Sequence, residues 1–352
     1  MKTLHLICAA RPNFMKIAPL YRALKNEAWC IPEIVHAGQH YEYKMSQAFF
    51  DDFRLPPAHH YLGGGSKTHA EQTAQTMIAY EKLCLEKRKP DLVVVVGDVN
   101  ATLACSISAK KIHLPVAHLE AGLRSFDRTM PEEINRLVTD SISDYFWTPS
   151  KDADDNLKRE GVPLDRIRMV GNIMIDTYCM MKEKIESSEK YKIFGLKKKE
   201  YIVLTLHRPV NVDVKEKLEG IIHKVGQIDL PIIFPVHPRT YKSLKAIHPL
   251  PQNLALCPPL GYIDFMSLVS NSAYVISDSG GIQEETTYLS IPCFTLRDTT
   301  ERPVTVTVGS NQLISANNVL EKIKHPKTGA IPPLWDGKTS ERIISSIKEI
   351  LE

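Results

Sequence analysis

The chain has 352 residues, of which 43% are hydrophobic and 24% charged, with a formal net charge of +3. At roughly 100–200 residues per domain the length suits two domains, and the composition is ordinary for a globular enzyme. So small a net charge gives no case for nucleic acid or an anionic membrane as partner, and no apolar run approaches the roughly 20 residues of a membrane span.

The N-terminus, Met1-Lys2-Thr3-Leu4-His5-Leu6-Ile7, enters a strand without a signal-peptide layout, so a cytoplasmic location is expected. Strands are expected at 4–8, 34–36, 92–96, 116–119, 145–147 and 167–170, with helices between them. The run Leu92-Val93-Val94-Val95-Val96 is apolar on both faces, the pattern of a strand covered on both sides in a parallel sheet. A polar stretch at 176–199 reads as a solvated helix and connector, and the style then repeats with strands at 201–206, 232–235, 254–257, 274–276 and 293–296. Two successive βα series imply an α/β protein with two doubly wound, Rossmann-like domains facing a cleft. The division is expected near Gly171, giving domains 1–170 and 171–352. The apolar stripe of the last helix, about 340–352, suits packing, and that helix has the option of returning to the first domain.

In open parallel sheets ligands bind beyond the carboxyl ends of the strands, so polar residues just after apolar runs are the candidates. Arg11 follows the first strand and Lys16 lies about a turn into the next helix. Both suit a diphosphate, although Lys16 also reads as helix surface. Asp98 stands at the tip of 92–96, where it either works in the site or caps the next helix. Glu120 has no helix to cap and precedes a glycine bend, which favours a working carboxylate. Glu132 and Glu133 follow Pro131 in a good helix-start signature, so both have a structural reading too.

In the second half His207 stands at a strand tip, where an imidazole suits proton transfer or a phosphate contact. His237, in a Pro-flanked turn, reads as shaping the loop. The segment Ser277-Asp278-Ser279-Gly280-Gly281-Ile282-Gln283-Glu284-Glu285 is a strand end, a glycine turn and a helix start. Amides there can point at an anion, and an acid beside them can accept from sugar hydroxyls, so a nucleotide-linked sugar fits better than a bare phosphate. Arg302 is placed to reach a base, ribose or sugar, or else to pair with Glu301 in its own charged loop.

Metal binding finds little support. His36 and His40 lie across a strand end, there is no His-Glu-x-x-His, and the seven cysteines form no Cys-x-x-Cys pair. Gly63-Gly64-Gly65-Ser66 lacks the Lys-Thr/Ser of a P-loop and reads as a flexible loop.

Together, Ala10-Arg11-Pro12, Gly38-Gln39-His40, Gly97-Asp98, His118-Leu119-Glu120-Ala121-Gly122-Leu123-Arg124, Pro131-Glu132-Glu133-Ile134-Asn135-Arg136, His207-Arg208, the 278–285 segment and the 297–303 loop resemble the non-hydrolysing UDP-N-acetylglucosamine 2-epimerases over nearly the whole chain. The resemblance implies a glycosyltransferase-B-type fold, a homodimer, and interconversion of UDP-GlcNAc and UDP-ManNAc for surface polysaccharide synthesis, with neither metal nor cofactor. It implies Asp98, Glu120, Glu132 and His207 as the catalytic set. Arg11, Lys16, Phe265, Ser279, Gly280, Gly281, Glu285 and Arg302 would bind substrate. The alternatives it leaves are a 2-epimerase of UDP-2,3-diacetamido-glucuronate and a hydrolysing epimerase that releases ManNAc and UDP. Pro209 and Val210 depart from the Arg and Glu of many members, residues that serve a substrate-activator site, so allosteric activation is not expected. Leu260 departs from a Gln found in some.

Overall fold

The computed structural model describes residues 1–9, 11–38, 53, 55–65, 68–87 and 89–352, without the side chains of Arg11 and Pro12. The chain forms two compact units. One is Met1–Met180 with Pro333–Glu352, and the other is Met181–Pro332.

The first unit holds a seven-stranded parallel sheet. Its strands are β1 (Lys2–Cys8), β2 (Cys30–His36), β3 (His60–Tyr61), β4 (Leu92–Val96), β5 (Val116–Leu119), β6 (Tyr145–Thr148) and β7 (Ile167–Met169), in the order β3-β2-β1-β4-β5-β6-β7. The five apolar residues of β4 are buried, each contributing about 1.5–3 kcal/mol to the core. That core continues through Ile7, Val35, Tyr80, Cys84 and Cys105. Helix His69–Glu86 begins with a capping box between Thr68 and Glu71.

The second unit holds β8 (Ile202–Thr205), β9 (Ile232–Pro235), β10 (Leu254–Cys257), β11 (Tyr274–Ser277), β12 (Cys293–Leu296) and β13 (Asn311–Ile314), ordered β10-β9-β8-β11-β12-β13 and also parallel. In both sheets the strand order reverses once: beside β1 and β4 in the first, beside β8 and β11 in the second. These are the switch points where an open α/β sheet parts its loops and leaves room for a ligand.

The C-terminal segment belongs to the first unit. Trp147 Nε1 donates to Ser346 Oγ at 3.0 Å, Trp335 Nε1 donates to the Pro149 carbonyl at 2.9 Å, and Lys348 pairs with Glu27 at 2.8 Å. The change of unit at Met180 falls within helix Ile173–Ser188. The stretch expected to be a solvated connector starts buried. The Asp176 carboxylate accepts from the amides of Thr339 and Ser340, at 3.0 and 2.7 Å, and so caps the last helix, Thr339–Leu351. Within the glycine run expected to be a flexible loop, Gly63 is exposed but Gly64 and Gly65 are buried. A Cβ at Gly64 would lie 2.6 Å from the Ala37 carbonyl oxygen and 2.8 Å from Thr76 Oγ1, so only glycine fits there. Ser66 lies outside the described residues, as do Gln39 and His40. No helix among the described residues is long and apolar enough to cross a membrane.

Candidate active site

At the first switch point, the loop after β4 and the loop after β5 bring together charges far apart in sequence. Lys16, buried on helix Arg11–Lys25, ion-pairs with the buried carboxylate of Glu120. Glu120 has φ of 74°, a left-handed conformation that costs a non-glycine residue about 1–3 kcal/mol and marks a site where position matters more than ease. Gly97 makes room for the pair: a Cβ there would lie 3.1 Å from Glu120 Oε2 and 3.2 Å from Lys16 Nζ, and its own φ of 66° suits glycine. Asn13 Nδ2 donates to the Val96 carbonyl at 2.9 Å and ties the helix to the β4 tip.

Asp98 does not cap the next helix. Val99 takes the N-cap position, and the Asp98 carboxylate instead meets Arg136 at 3.0–3.1 Å. Asn135 Nδ2 holds the Asp98 carbonyl at 2.9 Å. Arg136 also pairs with Glu133, whose carboxylate accepts from the amides of Ser125 and Phe126, both at 2.9 Å. Burial disfavours ionised Glu133, yet these amides and the guanidinium outweigh it and hold the carboxyl below its ordinary range. Glu133 is therefore a buried brace, while its neighbour Glu132 is exposed in the first turn of helix Pro131–Ile142.

A further buried network supports the same loops. His118 lies between Asp140 Oδ1, 2.6 Å from Nδ1, and the Gly97 carbonyl, 2.9 Å from Nε2. Arg124 joins Asp140 at 2.7 Å and Glu160 at 2.6 Å. Burial works against the Asp140 charge, but His118 and Arg124 keep its carboxyl below the usual range. Arg11 opens its helix, and its side chain lies outside the described residues.

At the second switch point, His207 and Asp278 follow neighbouring strands, because β8 and β11 pair Thr205 with Ser277. His207 Nδ1 lies 2.9 Å from Asp278 Oδ1. The Asp278 carboxylate also accepts from the amides of His207 and Arg208, at 3.1 and 2.9 Å, and from Asn211 Nδ2 at 3.1 Å. Asp278 is fully buried, while the His207 side chain is 44% exposed, so a fixed carboxylate orients an imidazole that solvent or a ligand can reach. Burial opposes the Asp278 charge, but His207, the Arg208 amide and Asn211 outweigh it and keep the carboxyl below its ordinary value. His237 has the shaping role expected of it: its Nδ1 accepts from the Arg239 amide at 3.2 Å and caps helix Pro238–Leu244.

Ser279 is the N-cap residue of helix Gly280–Tyr288. The two glycines differ. A Cβ on Gly280 would lie 2.6 Å from Glu301 Oε1 and 2.9 Å from Arg302 Nη1, whereas one on Gly281 would meet no protein atom within 4 Å. Gly280 is thus needed for packing, and Gly281 borders open space at the amide-bearing end of a helix. Arg302 is buried and pairs with Glu301 and, at 2.9 Å, with Glu284, and Glu301 also holds Arg297 at 2.6 Å. Glu285 is buried in the same helix, and Phe265 is half-buried on helix Tyr262–Asn271.

Sequence reasoning singled out the strand tips but passed over Asp278, Arg136 and Asp140 as members of the networks. The position of Asp278, at the end of an apolar run and before Ser-Gly-Gly, was the available signal. Nothing local in the sequence pairs Lys16 with Glu120. Among the described residues one other group, His5, Glu33 and His60, gathers metal-ligand-type atoms.

Two Rossmann-like parallel-sheet domains, each with a polar set at its switch point, define a protein of the glycosyltransferase-B-type α/β class. The family model described as UDP-N-acetylglucosamine 2-epimerase matches residues 22–348, and the chain belongs to that family. The UDP-N-acetylglucosamine 2-epimerase of Methanocaldococcus jannaschii is 42% identical to this chain over 97% of both. The crystal structure of the Methanocaldococcus jannaschii UDP-GlcNAc 2-epimerase, in complex with UDP-GlcNAc and UDP, covers 99% of each chain with a TM-score of 0.89 and 39% identity. A UDP-2,3-diacetamido-2,3-dideoxy-D-glucuronate 2-epimerase of Pseudomonas aeruginosa is 37% identical over 90% of this chain and 89% of its own.

Proposed function

We propose that the protein is an isomerase that inverts C2 of UDP-GlcNAc, giving UDP-ManNAc reversibly, as a cytoplasmic homodimer whose product supplies surface polysaccharide synthesis. The observation that carries the reading is Glu120: a buried carboxylate at positive φ, paired with Lys16 beside Gly97, in a chain of this family.

The C2 proton of a hexosamine is not next to a carbonyl, so no enolate stabilises its removal. Elimination avoids the difficulty. A carboxylate takes the proton from C2 while the C1–O bond breaks. The C–H electron pair becomes the C1–C2 double bond of a 2-acetamidoglucal, and UDP departs with the C1–O pair. Return of UDP to C1 with protonation of C2 on the opposite face completes the inversion. This route needs proton-transfer groups, which Asp98, Glu120 and Glu132 offer. It also needs groups that neutralise the departing diphosphate, a role for Arg11, Lys16, His207 and the amides after Ser279. Ser279, Gly280 and Gly281 would seat the diphosphate, with Glu285, Arg302 and Phe265 serving the nucleotide and sugar. Asp278 joins this set as the residue that positions His207. Burying the site keeps both fragments together and water away from the glucal.

The test is incubation with UDP-GlcNAc in deuterated water, followed by NMR. UDP-ManNAc carrying deuterium at C2 is expected, at equilibrium with UDP-GlcNAc. Free ManNAc would mark a hydrolysing enzyme. Turnover confined to UDP-2,3-diacetamido-glucuronate would move the substrate to that of the Pseudomonas aeruginosa relative. No exchange with either sugar would sink the proposal.

A further inference from the structure

A second cluster of chemistry-bearing side chains lies in the first unit on the β3-β2-β1 edge of the sheet, away from the strand tips that carry Asp98 and Glu120. His5 on β1 stands directly opposite Glu33 on β2, so their side chains leave the same face of the sheet. β3 pairs His60 with Val35, two residues beyond Glu33, and so presents His60 on that face as well. His60 Nε2 lies 2.6 Å from Glu33 Oε2, His5 Nε2 lies 3.5 Å from the same oxygen, and one ligand atom from each of the three fits within 4.8 Å of the others.

An ion pair between His60 and Glu33 accounts for only half of this arrangement. His5 is 1% exposed in a strand whose neighbours Leu4 and Leu6 are wholly buried, and a separation of 3.5 Å is long for a hydrogen bond. It is the right length for something else. A tetrahedral ion with bonds of about 2.0–2.2 Å to nitrogen and oxygen holds its ligand atoms about 3.3 Å apart. The His5 to Glu33 spacing already matches. The His60 to Glu33 contact would need to open by under about 1 Å, which a partly exposed glutamate can supply by rotation.

The surroundings also suit a ligand. Tyr80, buried on helix His69–Glu86, places its hydroxyl 3.1 Å from His5 Nδ1, which fixes the ring and turns Nε2 toward the carboxylate. Metal-binding imidazoles are usually held in this way through their second nitrogen. Burial pushes His5 down to about 4, so the ring is neutral at physiological pH and its lone pair is available to an ion. Side-chain exposures of 27% at Glu33 and 13% at His60 put the cluster in reach of solvent, from which an ion and a water ligand would come.

We propose that His5, Glu33 and His60 form a site for one divalent transition-metal ion of the zinc type, which clamps the three strands at this edge of the first sheet. Two imidazoles and a carboxylate favour zinc, cobalt or nickel over magnesium or calcium, which take oxygen ligands. The two-residue strand β3 has few hydrogen bonds of its own to hold it, so it gains most from the clamp.

The experiment uses the whole chain, stripped with a chelator and titrated with Zn²⁺ by calorimetry and with Co²⁺ by visible absorption. One equivalent per chain is expected, with the absorption of tetrahedral Co²⁺ and a rise in the thermal unfolding midpoint on zinc addition. His60→Ala and Glu33→Gln should each weaken binding more than about tenfold, and Tyr80→Phe, which frees the second nitrogen of His5, by about tenfold. Absence of stoichiometric binding overturns the proposal, as does binding unchanged in both His60→Ala and Glu33→Gln, which would place the ion elsewhere. If those variants do not fold, anomalous diffraction at the zinc edge from wild-type crystals decides: a peak among the three side chains supports the site, and no peak there overturns it.

Discussion

The two switch points share a topology and differ in what they hold. Beside β1 and β4, four carboxylates (Asp98, Glu120, Glu133 and Asp140) meet Arg136, Lys16 and Arg124 in a mostly buried network. Beside β8 and β11 the buried Asp278 holds a half-exposed imidazole, Glu284 and Glu301 are tied to Arg302, and a glycine borders open space. Under the proposed function the same architecture would serve two needs. Proton transfer wants charged groups held firmly in a low-dielectric setting, whereas a nucleotide wants free amides and no side chain in the way.

Swapping the character of each region tests that division. The largest effect is expected from Glu120→Gln, which keeps the shape but removes one of the proposed proton-transfer carboxylates. Solvent deuterium incorporation at C2 should fall by about 10²–10⁴-fold while UDP binding, measured by calorimetry, stays close to wild type. Wild-type exchange in this variant would remove Glu120 from the chemistry.

Asp278→Asn should weaken both the reaction and the fold, since it removes the charge that orients His207 and accepts two backbone amides. A loss of about 2 kcal/mol in unfolding free energy is expected at neutral pH. The sign with pH follows from the lowered carboxyl. A group held below its unfolded value of about 3.9 stabilises the fold above that pH and loses its contribution as pH falls through the lower folded value. Wild-type stability should therefore decline with pH below about 4, and the decline should be shallower in Asp278→Asn. An identical acid slope would show that the burial of Asp278 does not carry this coupling.

The two neighbouring glycines give a finer contrast. Gly280→Ala drives a methyl into the Glu301–Arg302 pair and should cost about 1–3 kcal/mol of stability. Gly281→Ala meets no protein and should leave the thermal midpoint unchanged while weakening UDP binding. Equal behaviour of the two would dissolve the distinction between a packing glycine and a binding one. The smallest effect concerns saturation. With Pro209 and Val210 in place of charged residues, the initial rate should rise hyperbolically with UDP-GlcNAc, with a Hill coefficient of about 1. Sigmoidal saturation would restore an activator site.

Local pattern made much of this legible. Runs such as 92–96 announced buried parallel strands, glycine and proline marked the turns, and polar residues after those runs pointed to Asp98, Glu120 and His207. The two-residue strand β3 was not visible, because so short a pairing has no period of its own. The stretch 176–199 looked solvated from its composition, yet the first turns of helix Ile173–Ser188 are buried and Asp176 meets the returning C-terminal segment.

The sequence by itself determined the fold class, the family and the strand tips at which polar residues gather, because hydrophobic periodicity and turn chemistry act between near neighbours in the chain. Only the tertiary structure decided the partners. Lys16 meets Glu120, Arg136 bridges Asp98 and Glu133, Asp278 holds His207, Arg302 is committed to Glu301 and Glu284, and His5 faces Glu33 and His60. Each of these depends on sheet register and strand order, which bring together residues up to about a hundred positions apart, and on the low dielectric that makes a buried charge seek a partner.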